Sequence, residues 1–277
     1  MPTLTLRNGV TLPSTGFGTY KADDAKRVVL DALRAGYRYL DTASFYKNEE
    51  AVGQAVRESG LPRDQVFLAT KLWKTEMGFQ AAQRAIDGSL RRLNTDYLDV
   101  YLIHWPRPDL ETTNWRELDL ECWRAMEAAY HAGKIRALGV SNFLPHHLYT
   151  LIELAEVKPV VDQLEFHPGY PQKAAVDFCQ LNGIQVQAWS PLGRARVMEE
   201  PLLLELARRY QRTPAQICLR FALDCGVQPL PKTSDPARMR ENLEALDFTL
   251  TGGDLYQLLT LPQLGWSGEH PDRKRVR

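Results

Sequence analysis

No run of about 18 apolar residues occurs anywhere in the chain, so nothing in it reads as a membrane-spanning helix. The opening segment, Met1 to Arg7, lacks the apolar core of a secretory signal. Neither sign of charge is in excess: 34 Lys and Arg balance 34 Asp and Glu. A nucleic-acid partner calls for a basic surplus, so none is expected. Cysteine is scarce, with Cys122, Cys179, Cys218 and Cys225 far apart and no CxxC pair. That pattern fits reduced, buried thiols in a cytoplasmic protein. His104, His146, His147 and His167 show no ligand spacing such as HExxH, so no metal is expected.

What remains is ordinary globular material. Apolar residues make up 44% and charged residues 25%, with 18 Gly and 17 Pro, which excludes collagen-like, low-complexity and disordered chains. A chain of 277 residues buries roughly three-quarters of its unfolded surface and needs no staples. Four basic side chains among the last six residues, Asp272 to Arg277, read as a solvated tail.

The first sixteen residues read as a hairpin, with Leu4-Thr5-Leu6 and Val10-Thr11-Leu12 alternating around Asn8-Gly9. A unit then repeats: an amphipathic helix, a glycine, a short apolar strand. The helices end at Gly36, Gly60, Gly133, Gly183 and Gly226, where glycine accepts the left-handed backbone of a helix end. Helices are expected at 23–35, 49–59, 79–93, 118–132, 146–156, 172–182 and 215–225. Thr213-Pro214-Ala215-Gln216 is a capping box, and Asp235-Pro236 opens a further helix. Strands are expected at 15–18, 37–40, 66–70, 98–103, 135–139, 160–164, 184–189 and 227–230. Eight right-handed βαβ steps predict an α/β fold, a closed (β/α)8 TIM barrel spanning 1–277 as a single domain. Helices at 199–210 and 251–260 are two extras outside the repeat.

Gly16-Phe17-Gly18 followed by Asp41 imitates a Rossmann fingerprint. The context is wrong for it. Leu12-Pro13-Ser14-Thr15 is no buried strand, and Lys21 stands where the third glycine belongs.

A parallel barrel keeps its chemistry at the C-terminal ends of its strands. Those ends carry Asp41 and Thr42 with a loop to Tyr46, then Lys71, His104 and Trp105, Ser141 and Asn142, Gln163 and Glu165, Trp189 and Ser190, and Lys232 and Thr233. One polar strand end is a solvated rim residue; a whole rim of them is a site. A phenol with pKa near ~10 donates slowly at neutral pH, and a nearby ammonium is expected to lower that pKa. An Asp beside the Lys holds it charged, and a neutral His orients a carbonyl oxygen. Asp41, Tyr46, Lys71 and His104 therefore suit protonation of an oxygen gaining negative charge, as in carbonyl reduction. Side chains supply no hydride, so a nicotinamide cofactor is implied.

The segments 36–49, 133–143 and 231–243, with Leu68-Ala69-Thr70-Lys71 and Leu102-Ile103-His104-Trp105-Pro106, closely resemble the signatures of the aldo-keto reductase family. The matches run in order from about residue 4 to residue 250. The spacing and short C-terminus are most similar to the bacterial 2,5-diketo-D-gluconate and methylglyoxal reductase branch. The resemblance implies a catalytic tetrad of Asp41, Tyr46, Lys71 and His104 with Tyr46 as general acid. It implies NADPH bound without a Rossmann fold. Ser141, Asn142 and Gln163 would hold the carboxamide, and Trp189 would stack on the nicotinamide. Gly18 and Thr19 would border the cofactor, and Ser190, Leu192 and Gly193 would line the pyrophosphate. Lys232, Thr233 and Arg238 would take the 2′-phosphate, and Glu241 and Asn242 the adenine. An Arg fork and a Lys point charge at a helix start suit a phosphate, which favours NADPH over NADH.

The chain departs from the family pattern in places. Asp162 replaces the usual Asn and is expected to alter a rim hydrogen bond; Trp189 replaces the frequent Tyr; the stretch 264–270 is individual. Tyr20, Phe45, Trp73, His104 and Trp105, with Trp266 as a further candidate, are expected to face the substrate. Flat apolar walls suit small aldehydes, α-ketoaldehydes such as methylglyoxal, and keto-sugars such as 2,5-diketo-D-gluconate. Trp115 and Trp123 are expected to pack helix against barrel instead. A monomer is expected. Two alternatives stand beside this reading: a Schiff-base lyase using Lys71, and a non-catalytic NADPH-binding barrel.

Overall fold

The computed structural model describes residues 2–274. The Asn8-Gly9 turn folds as a hairpin, in which β1 (Thr3–Thr5) pairs antiparallel with β2 (Thr11–Pro13) and Leu4 faces Leu12. Leu6 and Leu12 are buried in one cluster with Leu102, Val161 and Leu230, so the hairpin plugs the floor of the barrel.

Eight strands form one parallel sheet in chain order. They are β3 (Phe17–Gly18), β4 (Tyr39–Asp41), β5 (Phe67–Leu72), β6 (Val100–Ile103), β7 (Leu138–Ser141), β8 (Val161–Glu165), β9 (Gln185–Trp189) and β10 (Gln228–Pro229). The last strand returns to the first. The N–H groups of Gly16 and Gly18 donate to the carbonyls of Pro229 and Pro231, each at 3.0 Å. This closes the expected (β/α)8 barrel.

Its helices are α1 (Ala25–Ala35), α2 (Glu49–Glu58), α3 (Phe79–Leu93), α4 (Trp115–His131), α5 (Pro145–Leu154), α6 (Lys173–Leu181), α7 (Pro201–Tyr210), α8 (Pro214–Asp224), α9 (Pro236–Leu243) and α10 (Gly252–Leu259). The extras, α7 and α10, stand where the repeat left room for them. All five glycine stops adopt positive φ, from 67° at Gly183 to 115° at Gly36. Trp115 and Trp123 are buried on α4, as helix-to-barrel packing requires, and the Trp123 indole donates to the Val157 carbonyl at 2.9 Å.

Some boundaries move. The strand expected at 135–139 forms at Leu138–Ser141, and Ile135 makes only an isolated bridge to Leu98. Apolar residues continue below the ladder because they pack against the floor, so hydrophobicity begins before hydrogen bonding does. The polar residues Asp41, Lys71, Ser141 and Glu165 are instead inside the ladder. Glu199 and Gln172 precede their helices, and Gln172 takes φ of 42°.

The tail is anchored at its first residue, Asp272, while its described basic residues Arg273 and Lys274 are exposed, in keeping with a solvated tail. Asp272 accepts from His147 Nε2 at 3.0 Å and lies 3.1 Å from His146 Nε2 and 3.5 Å from Arg107. One ligand atom each of His146, His147 and Asp272 lies within 4.8 Å of the others, the spacing of metal ligands. The His147 Nδ1, however, accepts the Leu144 N–H at 3.0 Å, so its Nε2 carries the hydrogen and is a donor to Asp272. Arg275 and Arg277 of the tail lie outside the described residues. Among the described residues, no helix is long and apolar enough to cross a membrane.

Candidate active site

One trench of about 980 Å³ runs across the C-terminal rim of the barrel. At one end four expected residues converge. Lys71, on β5, is completely buried; its Nζ donates to Asp41 Oδ1 at 2.6 Å and to the Thr42 carbonyl at 2.9 Å. It also reaches the Tyr46 hydroxyl at 3.5 Å. Tyr46 ends a short 3-10 turn, Ser44–Tyr46, that follows β4 and folds the phenol back over the strand ends. Because the phenol oxygen accepts from Lys71, its hydrogen is left for a ligand. The His104 ring stands 5.7 Å from the Tyr46 ring and 5.0 Å from Trp73.

Electrostatics assigns protonation states. Burial, then the charges of Lys71 and Lys74, hold His104 well below the usual imidazole range, so it is neutral. Burial pulls Lys71 down, and the adjacent Asp41 carboxylate opposes this. The expectation that Lys71 acidifies the phenol needs correction. Burial, followed by Asp41, Tyr20 and Glu269, pushes Tyr46 well above its ordinary value, and only Arg194 works the other way. The Lys71 charge is already taken up by Asp41 at 2.6 Å, so little of it reaches the resting phenol.

Beside the tetrad lies a hydrogen-bonded rim. Ser141 Oγ donates to the Gln163 carbonyl at 2.8 Å, and Asn142 Nδ2 donates to the His104 carbonyl at 2.9 Å and to Ser141 Oγ at 3.1 Å. The Trp189 indole donates to Asn142 Oδ1 at 2.8 Å, which fixes the ring along the trench. Asn142 and Ser190 hold left-handed backbone at φ 63° and 49°, and Gly193, Arg194 and Ala195 do so consecutively. Non-glycine residues in that region cost about 1–3 kcal/mol each and persist where the surroundings enforce them. Gly18 borders the same wall, where a Cβ would stand 3.3 Å from the Leu230 carbonyl.

The far end is looser. Lys232, Thr233, Arg238, Glu241 and Asn242 line it. Arg238 is 73% exposed, and its Nε is 3.9 Å from the Asp235 carboxylate. Asp235 caps α9 by accepting the Ala237 N–H at 2.8 Å. The Glu241 carboxylate accepts from Thr213 Oγ1 at 2.7 Å, which ties α9 to the start of α8.

Most expected residues line the trench: Gly18, Tyr20, Asp41, Phe45, Tyr46, Trp73, His104, Trp105, Ser141, Asn142, Gln163, Trp189, Ser190 and Leu192 join the far-end group. Lys71, Thr19 and Gly193 lie behind its wall. Thr19 is buried and bonds the Asp41 carbonyl through both its N–H and its hydroxyl, at 3.0 and 2.9 Å, so it positions Asp41 from behind the wall. Gly193 packs on Val197, where a Cβ would approach Cγ1 to 2.9 Å. Trp266 is not a wall residue; it stacks on Tyr170 at 5.9 Å. Asp162 points away from the rim, fully buried, with Cys179 Sγ at 3.7 Å from its carboxyl. Burial raises its pKa well above the carboxylate range, so it is a neutral acid between sheet and helix. Sequence reasoning missed Arg194 and Glu269, a pair at 3.0 Å that bridges the loop after β9 to the C-terminal stretch.

A sequence profile described as the Aldo/keto reductase family matches residues 6–258. A glyoxal reductase of Bacillus subtilis is 41% identical over 98% of this chain and 96% of its own length. An aldo/keto reductase structure from Brucella melitensis superposes with a TM-score of 0.87 at 40% identity, covering 93% of this chain and 98% of that one. A Bombyx mori aldo-keto reductase in complex with NADP superposes at 0.87 with 31% identity, covering 100% and 95%. Barrel, rim and matched sequence agree: this chain belongs to the aldo/keto reductase family.

Proposed function

We propose that this protein reduces small aldehydes and ketones to alcohols with NADPH, and that Tyr46 donates the proton. The observation carrying this reading is the line Asp41, Lys71, Tyr46, at 2.6 and 3.5 Å, which leaves the phenol hydrogen facing the trench beside a neutral His104. The trench has the extent and chemistry for a dinucleotide: an indole wall at Trp189, a glycine-bordered middle and two cations at the far end. The Bombyx mori relative, solved with NADP, supports the same assignment. When bound, the reduced nicotinamide supplies the hydride.

The residues of the chain supply the rest. The raised pKa keeps Tyr46 protonated throughout the neutral range. An alkoxide is a stronger base than a phenolate, so the phenol still gives up its proton as charge develops on the carbonyl oxygen. Lys71 then faces the phenolate at the moment it forms; its role is in the transition state rather than in the resting enzyme. His104, being neutral, offers an N–H to the substrate oxygen and orients it. Lys232 and Arg238 take the 2′-phosphate. Tyr20, Phe45, Trp73 and Trp105 form the substrate walls, with Phe45 and Trp73 stacked at 3.8 Å. Two-carbon and three-carbon dicarbonyls such as methylglyoxal fit these walls, as the glyoxal reductase relative suggests, and keto-sugars such as 2,5-diketo-D-gluconate extend the range. The protein acts as a cytoplasmic monomer, a single domain over 1–277. The lyase alternative finds no support here, because the Lys71 amine is sealed beneath Asp41 and Tyr46.

A carbonyl panel assayed by loss of reduced cofactor, with NADPH and NADH in parallel, tests the reading. Turnover of α-ketoaldehydes with NADPH preferred is expected. Cofactor binding with no turnover on any carbonyl would establish the non-catalytic alternative instead.

A further inference from the structure

Inside the barrel, beneath Gln163 on the rim, runs a column of glutamines whose lower members, Gln187 and Gln228, the reaction scheme does not use. Gln228 Nε2 donates to the Pro13 carbonyl of the floor hairpin at 2.7 Å. Gln187 Nε2 donates to Gln228 Oε1 at 2.7 Å and to the Tyr39 hydroxyl at 2.7 Å. Gln163 Nε2 donates to Gln187 Oε1 at 3.1 Å and to Asp41 Oδ2 at 2.9 Å. All three glutamines are buried.

The direction of every amide in this column follows from its two ends. A backbone carbonyl only accepts, and so does an ionised carboxylate. Pro13 therefore takes the Gln228 NH2, which turns Gln228 Oε1 toward Gln187. That oxygen takes the Gln187 NH2, which turns Gln187 Oε1 toward Gln163. Both hydrogens of Gln163 Nε2 are then engaged, one by Gln187 and one by Asp41. Its Oε1 is left facing the trench, with no partner among the described residues. Asn142 differs, since both of its hydrogens and its oxygen are already bonded.

We propose that Gln187 and Gln228 are positioning residues: the column polarises Gln163 so that its Oε1 is an obligatory acceptor for the N–H of the nicotinamide carboxamide. The proposal rests on the cofactor reading above. A carboxamide flipped to present its oxygen would meet an oxygen, so the column also helps decide which face of the ring is aimed at Tyr46. In this buried amide chain both hydrogens of Gln163 and of Gln187 are used, and flipping one member would leave like atoms opposed along its length.

The test measures dissociation constants, by fluorescence titration without substrate, for NADP+ and for its acetylpyridine analogue, in which a methyl ketone replaces the carboxamide and no N–H remains. The wild type is expected to prefer NADP+ by about tenfold, the worth of one well-made hydrogen bond. In Gln187→Leu only the Asp41 bond still orients the Gln163 amide, so the preference weakens part of the way toward unity. Gln187→Glu keeps an acceptor for Gln163 and retains the preference, even if it melts lower. Gln228→Leu unpins the Gln187 amide but leaves both Gln163 bonds in place, so it gives a smaller loss and serves if Gln187→Leu does not fold. An unchanged preference in Gln187→Leu and Gln228→Leu, or equal wild-type affinity for the two dinucleotides, would overturn the proposal and leave the cofactor reading standing. Failure of the wild type to bind either dinucleotide overturns both.

Discussion

The two ends of the trench are built on opposite principles. At the tetrad, Lys71 has no exposure and its Nζ is committed to Asp41, Thr42 and Tyr46 before any ligand arrives. At the far end, Arg238 is open to water and its nearest carboxylate is 3.9 Å away. The first end is preorganised, because chemistry needs fixed dipoles where charge develops. The second is an electrostatic site that a phosphate completes, and such a site costs the empty protein nothing to keep.

Breaking the preorganised end should have the largest consequences. Lys71→Met strands the Asp41 carboxylate in a buried setting. We expect a stability loss of about 3–5 kcal/mol, as for other broken buried pairs. Turnover should fall by about 10²–10⁴-fold, the usual worth of acid–base machinery. Thermal melting and steady-state assays would read the two effects; normal turnover in a folded variant would mean that the cation is dispensable.

At the open end the effect should be smaller and confined to binding. Arg238→Ala should weaken NADPH by about tenfold, roughly 1.4 kcal/mol, while NADH affinity and melting temperature stay put. Equal weakening of both cofactors in a titration would remove the phosphate assignment. Salt sharpens the contrast further. Because exposed charges are screened over about 8–10 Å at 0.1–0.15 M, added salt should raise the NADPH dissociation constant severalfold without changing the rate of the bound complex.

The mildest prediction concerns acid. Burial holds His147 down to about 4, with the Asp272 carboxylate opposing it. An unfolded imidazole titrates near ~6.5. Between these values the unfolded state binds more protons, so stability is lost as pH falls from about 6.5 toward 4. His104, also held neutral, acts in the same direction. Melting curves across that interval should show the decline, and His147→Gln should flatten it; an identical decline in the variant would exonerate His147.

The same contrast explains what could be read from the sequence. Rim residues such as Asp41, His104 and Ser141 stand out because a polar side chain interrupts an apolar run at a strand end. Tyr46 carries a weaker mark, being reached only through the loop after its strand, and the resemblance adds its assignment as general acid. Gln187 and Gln228 were hidden for a physical reason. Alternation along Val186-Gln187-Ala188 looks like a strand with one wet face, and the pattern cannot tell water from a polar barrel interior. Arg194 and Glu269 meet from loops some 75 residues apart, which no periodicity links. Depth is also absent from a sequence, which is why Lys71 was expected to acidify a phenol whose burial outweighs it.

The most direct test of the account is a single-turnover reaction of Tyr46→Phe loaded with NADPH and mixed with methylglyoxal. Binding of NADPH should match the wild type, while reduction slows by about 10²-fold or more. A rate close to wild type in a variant that has no hydroxyl at residue 46 would contradict the assignment of that phenol as the proton donor.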